Sequence, residues 1–509
     1  MAETASVMTG IRTYEDLRTR LTDISQWTST PLTWFSSHWL YEGEQRLDGG
    51  YYAAEAMAAQ RIVQDSGLEI KPLAELVQEV YILGRFRRVY ATDKAAGWPY
   101  LSASEALVFR PESDRYLAKD HAPQDANRHF AKQGWMLVSC SGTVGRTVMV
   151  TKRLAQFFLT HDLARLVPNM ETSIGYLYAF LSTWMGQALL AKDQYGSAIK
   201  HLEPHHIAAV PVPLLSDDEQ RAIHAQIMYA YALRDEANDL LDEAGTLLHQ
   251  ELGLPRFDAS LVPYLTAPPR ENTGLPEIPH PQAFTVNAAE LHERLDASYH
   301  IPIARTAIAL LCKGRYEPIP LLKMAEGIYI PPRFKRIYVQ EAYGVPFIRP
   351  SHLPQMRPFD LGYISKLTQE LDLLELHKGD VLVTTDGTVG RVSLVTGRMT
   401  GWAGSNNIGR ITYGNTDGRN GYVAAFLSSP YGYHQLTREI YGGVVDHIEG
   451  YHIEGVLIPQ APADVQRVIG EKVVLAYEKR DEATALEEAV IRELEQTLET
   501  RAQGYAVDW

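Results

Sequence analysis

The feature that most constrains this chain is a duplication. The stretch Gly134–Arg146, GWMLVSCSGTVGR, returns at Gly379–Arg391 as GDVLVTTDGTVGR. In both places an apolar run (Met136-Leu137-Val138, Val381-Leu382-Val383) reads as a buried strand. The Gly-Thr-Val-Gly that follows reads as a tight turn, and the next apolar run as a returning strand. The pairing extends in both directions. Arg46-Leu47-Asp48 is matched by Arg294-Leu295-Asp296, and Arg85-Phe86-Arg87-Arg88-Val89-Tyr90 by Arg333-Phe334-Lys335-Arg336-Ile337-Tyr338. Arg165-Leu166 is matched by Arg410-Ile411 and Gly175-Tyr176 by Gly421-Tyr422. From Tyr195-Gly196 and Tyr441-Gly442 the copies run without a gap to Arg234-Asp235-Glu236-Ala237 and Arg480-Asp481-Glu482-Ala483. A repeat of this length implies two similar domains rather than a solenoid, whose period is about 20–50 residues.

Each copy ends in a long helical pattern. Ile223, Ile227, Ala230, Ala237, Leu241, Ala244 and Leu248 follow the three-four alternation of a helix seam, as do Ile469, Val473, Ala476, Ala483, Val490 and Leu494. Arg234 and Arg480 occupy matching seam positions. Two such rods in a duplicated chain pack most economically antiparallel about a pseudo-two-fold axis; the alternative is two separate amphipathic helices, each on its own domain. The expected fold is therefore α+β. Its parts are an N-terminal extension (1–45), a first domain (46–215), a long helix (216–253), a Pro-rich linker (254–293), a second domain (294–460), a second long helix (461–500) and a tail (501–509). Proline at the density of the linker forbids a long regular element.

Composition bounds the function. A chain of 509 residues needs more than one core. No apolar run approaches the ~18–20 residues of a membrane span, and the first residues lack a basic-then-apolar signal. The two cysteines, Cys140 and Cys312, make no disulfide framework, so a cytoplasmic protein is expected. The net charge of −14 counts against wrapping nucleic acid, although net charge does not report its distribution.

Three constellations carry chemistry. Arg85, Arg87 and Arg88, with Arg333, Lys335 and Arg336, are the strongest local basic signals. Read as strands, they put two cations on one face for phosphates or guanine edges, with Tyr90 or Tyr338 available to pack or stack; otherwise they are charged edge strands. The Gly-Thr-Val-Gly turns either present amides, Thr143 or Thr388, and Arg146 or Arg391 to a phosphate, or use their glycines for turn geometry alone. His201, His205 and His206 face His447, Tyr451 and His452 in the second copy. Hydrogen bonding at the hinge into the helix suits them better than a metal, for which no convergent set is expected. No Asn/Asp-Pro-Pro-Tyr/Phe methylase motif, Walker motif, metal-nuclease constellation or readable Ser/His/Asp grouping is present, so no catalytic residue is expected.

In order, each copy has an Arg-Leu-Asp start, the Gly-Thr-Val-Gly-Arg core, an apolar segment ending at Pro213 or Pro459, and a Gln-Arg helix opening (Gln220-Arg221, Gln466-Arg467). This order resembles the specificity subunit of type I restriction–modification systems over about residues 46 to 500. The first copy departs at Trp135, where the family has Asp. The Arg-Phe-Arg/Lys-Arg-Val/Ile-Tyr element and the extension resemble specificity-like subunits of methylation-associated phage-defence systems. The resemblance implies two target-recognition domains that read a bipartite double-stranded DNA sequence, with an antiparallel coiled coil setting their spacing. It implies recruitment of two modification subunits that carry S-adenosylmethionine and methylate adenine, with or without a restriction or translocase subunit. This chain itself would hold no cofactor and be catalytically silent. Tyr231, Arg234, Tyr477 and Arg480 are the partner-binding candidates on the helices. Base-reading residues are expected where the copies diverge, such as Ala91–Ala96 against Val339–Tyr343. The competing reading is a pseudo-symmetric protein scaffold without sequence reading, which the acidic charge favours.

Overall fold

The computed structural model describes residues 51–504 except 52, 92, 170–172, 197–199, 258–283, 292–293 and 414–416. The extension, the first Arg-Leu-Asp start, most of the Pro-rich linker and the end of the tail lie outside these residues.

The first half contains β1 (Glu69–Pro72), β2 (Glu79–Tyr81), β3 (Gly97–Leu101), β4 (Tyr116–Ala118), β5 (Met136–Ser139), β6 (Thr147–Met149), β7 (Phe158–Leu159), β8 (Leu163–Val167) and β9 (Pro211–Leu214). They form sheets of order β2-β8-β5-β6, β4-β3-β7 and β1-β9. The second half contains β10 (Pro318–Pro320), β11 (Gly327–Tyr329), β12 (Tyr338–Val339), β13 (Gly344–Ile348), β14 (Gly362–Ser365), β15 (Val381–Thr384), β16 (Val392–Leu394), β17 (Ala403–Gly404), β18 (Ile408–Thr412) and β19 (Leu457–Pro459). Its sheets are β11-β18-β15-β16, β12-β14-β13-β17 and β10-β19, the same orders with β12 added. The register repeats too: Leu137 lies opposite Arg165, and Leu382 opposite Arg410. Where β12 pairs with β14, the first half has a single bridge from Tyr90 to Leu117.

The continuous apolar runs of β5 and β15 follow from burial on both faces. Val381 and Val383 enter one core, while Leu382 enters a second one with Ile348 and Val395. Side chains alternate along a strand, so a strand covered on both sides needs apolar residues at every position.

Among the described residues, eight helices of two turns or more surround the sheets: α1 (Ala54–Asp65), α2 (Ile174–Ser182), α3 (Trp184–Lys192), α4 (Asp217–Leu252), α5 (Pro302–Leu311), α6 (Arg419–Ser428), α7 (Pro430–Arg438) and α8 (Ala463–Gly504). The α4 helix opens with a capping box between Ser216 and Glu219 and closes on Gly253 at φ 65°, a left-handed conformation that glycine adopts without a Cβ clash. Its 36 residues span about 54 Å at 1.5 Å each. The α8 helix runs to Gly504, four residues past the boundary expected at 500.

These two helices lie side by side in opposite directions. Lys472 pairs with Glu243 at 2.7 Å, Lys479 with Glu236, and Arg501 with Glu219 at 3.8 Å, so late residues of α8 meet early residues of α4. Each rod serves both halves. The first core takes Ile227 and Tyr231 from α4 with Val490, Leu494 and Leu498 from α8. The second takes Ala244, Leu248 and Leu252 from α4 with Ile469 and Val473 from α8. Between them Phe109 packs on Ala237 and Ala476. There the Phe109 amide donates to the Pro354 carbonyl at 2.8 Å and the Met356 amide to the Leu107 carbonyl at 3.2 Å. Val108 thus faces Gln355, its own counterpart in the second half.

Candidate nucleic-acid interface

Neither basic segment is a strand. Residues 82–89 and 331–337 are irregular, and only Tyr90 and Tyr338 at their ends join a sheet. The sequence reading fails there because the segments are held by an aromatic anchor instead of a ladder. Phe86 turns inward, edge-on to His129 (5.0 Å between centroids) and Phe158 (5.8 Å). Phe334 does the same against Phe347 at 5.9 Å. With the ring pinned, the neighbouring cations point outward: Arg85, Arg87, Arg88, Arg333, Lys335 and Arg336 are all exposed. The last cation of each segment is placed alike. The Arg88 guanidinium lies 5.6 Å from the Tyr100 centroid, and that of Arg336 lies 5.6 Å from Phe347. Arg88 also reaches Asp162 at 3.6 Å, and Arg336 donates to Asn406 Oδ1 at 3.0 Å. Arg85, Arg87, Arg333 and Lys335 make no ion pair or hydrogen bond with a described residue. Tyr90 and Tyr338 are about half exposed and lie edge-on to Tyr100 (6.0 Å) and Phe347 (6.2 Å).

The glycine turns use their amides internally. The Gly142 amide donates to the Lys200 carbonyl (3.0 Å), Gly145 to the Ser139 carbonyl (2.8 Å) and Arg146 to Ser139 Oγ (2.9 Å). In the second turn Gly387 donates to Asp446 (2.9 Å), Gly390 to Thr384 (3.0 Å) and Arg391 to Thr384 Oγ1 (2.9 Å). The φ values of Gly142, Gly145, Gly387 and Gly390 are 78°, 85°, 72° and 85°. These glycines therefore serve backbone geometry, and the amides just named are not available to cradle a phosphate. Thr143 and Thr388 stand exposed at the turn tips.

The two arginines after the turns have different fates. Arg391 is exposed and unpaired among the described residues, as a DNA contact requires. Arg146 corrects the sequence reading. Its guanidinium stacks 3.4 Å from the Phe359 centroid in the other half, and burial together with neighbouring Arg357 pushes its pKa down to about 10. A cation seated on an aromatic face of the opposite half is not presented to a ligand.

The four helix candidates are corrected as well. Tyr231 is buried, accepts the Met149 amide on its Oη at 3.2 Å, and meets Tyr178 edge-on. Arg234 is fully buried against Glu487. Arg480 is buried between Phe109 (5.4 Å) and Tyr477 (5.1 Å), and Tyr477 is half-buried. These groups hold the chain to itself. Among the large hydrophobic residues of these two helices, Tyr229, Val468 and Leu475 are exposed, and Tyr229 and Leu475 are counterparts in the repeat.

Near the hinges, the Glu203 amide donates to His206 Nδ1 (3.1 Å) and the Glu449 amide to His452 Nδ1 (2.9 Å). His201 bridges to Ser141, and His447 to Asp386, which ties each hinge to its glycine turn. The histidines thus fasten backbone, and no three His, Cys, Asp or Glu side chains converge as a metal set among the described residues.

Two features escaped the sequence reading. Arg165 and Arg410 are buried in mid-sheet and donate only to carbonyls: those of Leu163, His129 and Leu159, and those of Leu373, Leu374 and Glu375. They knot the connecting loops to the central strand. Burial lowers both pKa values to about 10. A lone Arg flanked by apolar residues in both copies was the available signal. The second feature is Glu487, 1% exposed, which binds Arg234, accepts from Tyr178 Oη at 2.6 Å and lies 3.5 Å from Arg357. It falls one heptad after Arg480 on the seam, which was readable.

Against known proteins, no family model matches the sequence, and no curated protein matches it. Among solved structures, the chain is similar to the S subunit of the type I restriction–modification system from M. genitalium, at TM-score 0.32 and 10% identity over 86% of this chain and 96% of that one. It is similar to the HsdS subunit from Thermoanaerobacter tengcongensis at TM-score 0.26 and 14% identity, over 86% and 96%. A chain from a structure describing complex assembly and conformational transition of the type I R-M system matches at TM-score 0.27 and 12% identity, over 86% and 97%. Among the described residues no helix is long and apolar enough to cross a membrane.

Proposed function

We propose that this chain is a non-catalytic DNA-recognition subunit that reads a bipartite duplex sequence and positions DNA adenine methyltransferase subunits. The observation that carries the reading is the matched pair of basic segments. Each half projects unpaired cations from an irregular segment pinned by Phe86 or Phe334, beside the same sheet, with the last arginine over an equivalent ring. Exposed unpaired cations at two related positions suit two stretches of phosphate backbone.

In this reading each half is one target-recognition domain, and α4 and α8 form an antiparallel coiled coil that fixes the distance between half-sites. Contact between counterparts such as Val108 and Gln355 supports a pseudo-two-fold axis passing between them, because only residues near such an axis meet their own equivalents. The net charge is no obstacle. Part of the acid lies on the helices, at Asp235, Glu236, Asp239, Asp242 and Glu243. Of these, Asp239 and Asp242 pair with Lys152 and Arg153, and Glu236 and Glu243 with lysines of α8. The outward face at Tyr229 and Leu475 is the proposed seat of two methyltransferase subunits, which would bring S-adenosylmethionine with them.

The test is selection from a random duplex pool with the partner methyltransferase present. The expected result is a split motif, two short blocks separated by a fixed spacer. A single continuous motif, or none, would overturn the reading. Arg333→Ala with Lys335→Ala should weaken binding and reduce the salt slope by about 2, since each phosphate left without its cation accounts for about 0.9.

A further inference from the structure

The basic segments lead into sheet edges whose frames are the same and whose tips are not. In the first half the Ala118 amide donates to the Val89 carbonyl, and in the second the Ser365 amide to the Ile337 carbonyl, both at 2.9 Å. Lys119 Nζ donates to the Ala95 carbonyl (2.8 Å), and its counterpart Lys366 Nζ to the Ala342 carbonyl (3.3 Å). Single-turn helices occupy Lys94–Ala96 and Glu341–Tyr343, each followed by a glycine that opens β3 or β13. On this shared frame Ala96 is replaced by Tyr343 and Asp120 by Leu367.

The replacements are out in solvent. Tyr343 is 68% exposed and Leu367 90%, next to Ile337 and Tyr338, themselves about half exposed. Isolated exposed apolar side chains are ordinary, but four brought to one sheet edge are a surface with a purpose. That edge is flanked by three exposed cations, Lys335, Arg336 and Lys366, and one exposed carboxylate, Glu341, a balance that suits a polyanion that also offers apolar groups. In the major groove of duplex DNA the apolar group on display is the thymine 5-methyl. The first half presents a different chemistry at the same place. Asp120 is exposed and pairs with no described residue, and a carboxylate there suits an amine donor such as cytosine N4.

We propose that Tyr343 and Leu367 are specificity-determining residues that take thymine 5-methyl groups in the half-site read by the second half, while Ala96 and Asp120 give the first half a different preference. This rests on the DNA-recognition reading above. It adds which residues discriminate and which base they select.

The experiment uses the full chain with its methyltransferase and the split motif found by selection. Each thymine of the target is replaced in turn by uracil, which keeps every hydrogen-bonding group and deletes the methyl. At one or more thymines of one half-site, affinity should fall about fourfold, the factor for one buried methyl-sized group. In the Tyr343→Ala, Leu367→Asp chain the uracil effect should vanish and a repeated selection should change that half-site alone. Both residues are exposed, so the variant should fold, with an unchanged helical circular dichroism signal. If no split motif is enriched, the recognition reading itself fails. A split motif that tolerates uracil everywhere, or whose half-sites both persist in the variant, overturns this inference and leaves the reading standing. Loss of methyltransferase binding by the variant, with DNA preference intact, would mark the edge as a protein contact and also overturn it.

Discussion

Glu487→Leu is the substitution with the largest expected consequence for this fold. Glu487 is the counter-ion of fully buried Arg234, accepts a hydrogen bond from Tyr178, and lies near Arg357. It therefore joins α2, both long helices and the second half at one point. Leucine fits such a seam, because the counterpart of Glu487 in the first half is Leu241. The steric term should be small and the electrostatic term should dominate. Removing one partner of a buried pair leaves the other charge unpaired, at a cost of about 3–5 kcal/mol. With a urea m-value of about 3 kcal/mol/M, the midpoint of the helical signal should fall by about 1 to 1.7 M. Adding Arg234→Leu removes the fully buried stranded charge, so the double variant should recover part of the loss, while Arg357 and the Tyr178 hydroxyl still lack their carboxylate. The pH dependence gives an independent check. Burial raises the Glu487 pKa, but Arg234 and Arg357 outweigh it and hold the carboxyl below its usual value. The unfolded chain therefore binds this proton more readily than the folded one. The contribution is complete above the ordinary Glu value of about 4.3 and is lost as pH falls through the lower folded value. The gap between parent and Glu487→Leu should thus be full at pH 7 and narrow in acid. A loss below about 1 kcal/mol for the single variant, or a double variant no better than the single, would refute the argument.

Two further outcomes are expected. Gly470→Ala should destabilise the chain, because a Cβ there would sit 1.7 Å from the Gly418 carbonyl oxygen, whereas Gly to Ala inside an unconstrained helix gains about 1 kcal/mol; thermal unfolding gives the sign. Arg391→Ala should reduce the salt slope of DNA binding by about 0.9 and Arg146→Ala should leave it unchanged, since Arg391 is exposed while Arg146 is partly buried with its guanidinium on Phe359; salt-dependent binding titrations separate the two.

The sequence by itself determined the elements whose rules are local. Apolar periodicity placed α4 and the seam of α8, and Gly-Thr-Val-Gly marked both turns. The repeated motif order is reflected in the repeated sheet orders, because equivalent residues meet equivalent neighbours within each half. Tertiary structure decided whatever depends on the other half of the chain. Arg146 and Arg391 look alike in sequence, yet one lies on Phe359 and the other in solvent. Arg234 and Arg480 hold matching seam positions, yet Glu487 stands opposite the first, while the second lies between aromatic rings. The basic segments read as strands by alternation, but a single inward phenylalanine in each set their course. A side chain's partner some 250 positions away carries no local signature, so its charge could be read from the sequence and its availability could not.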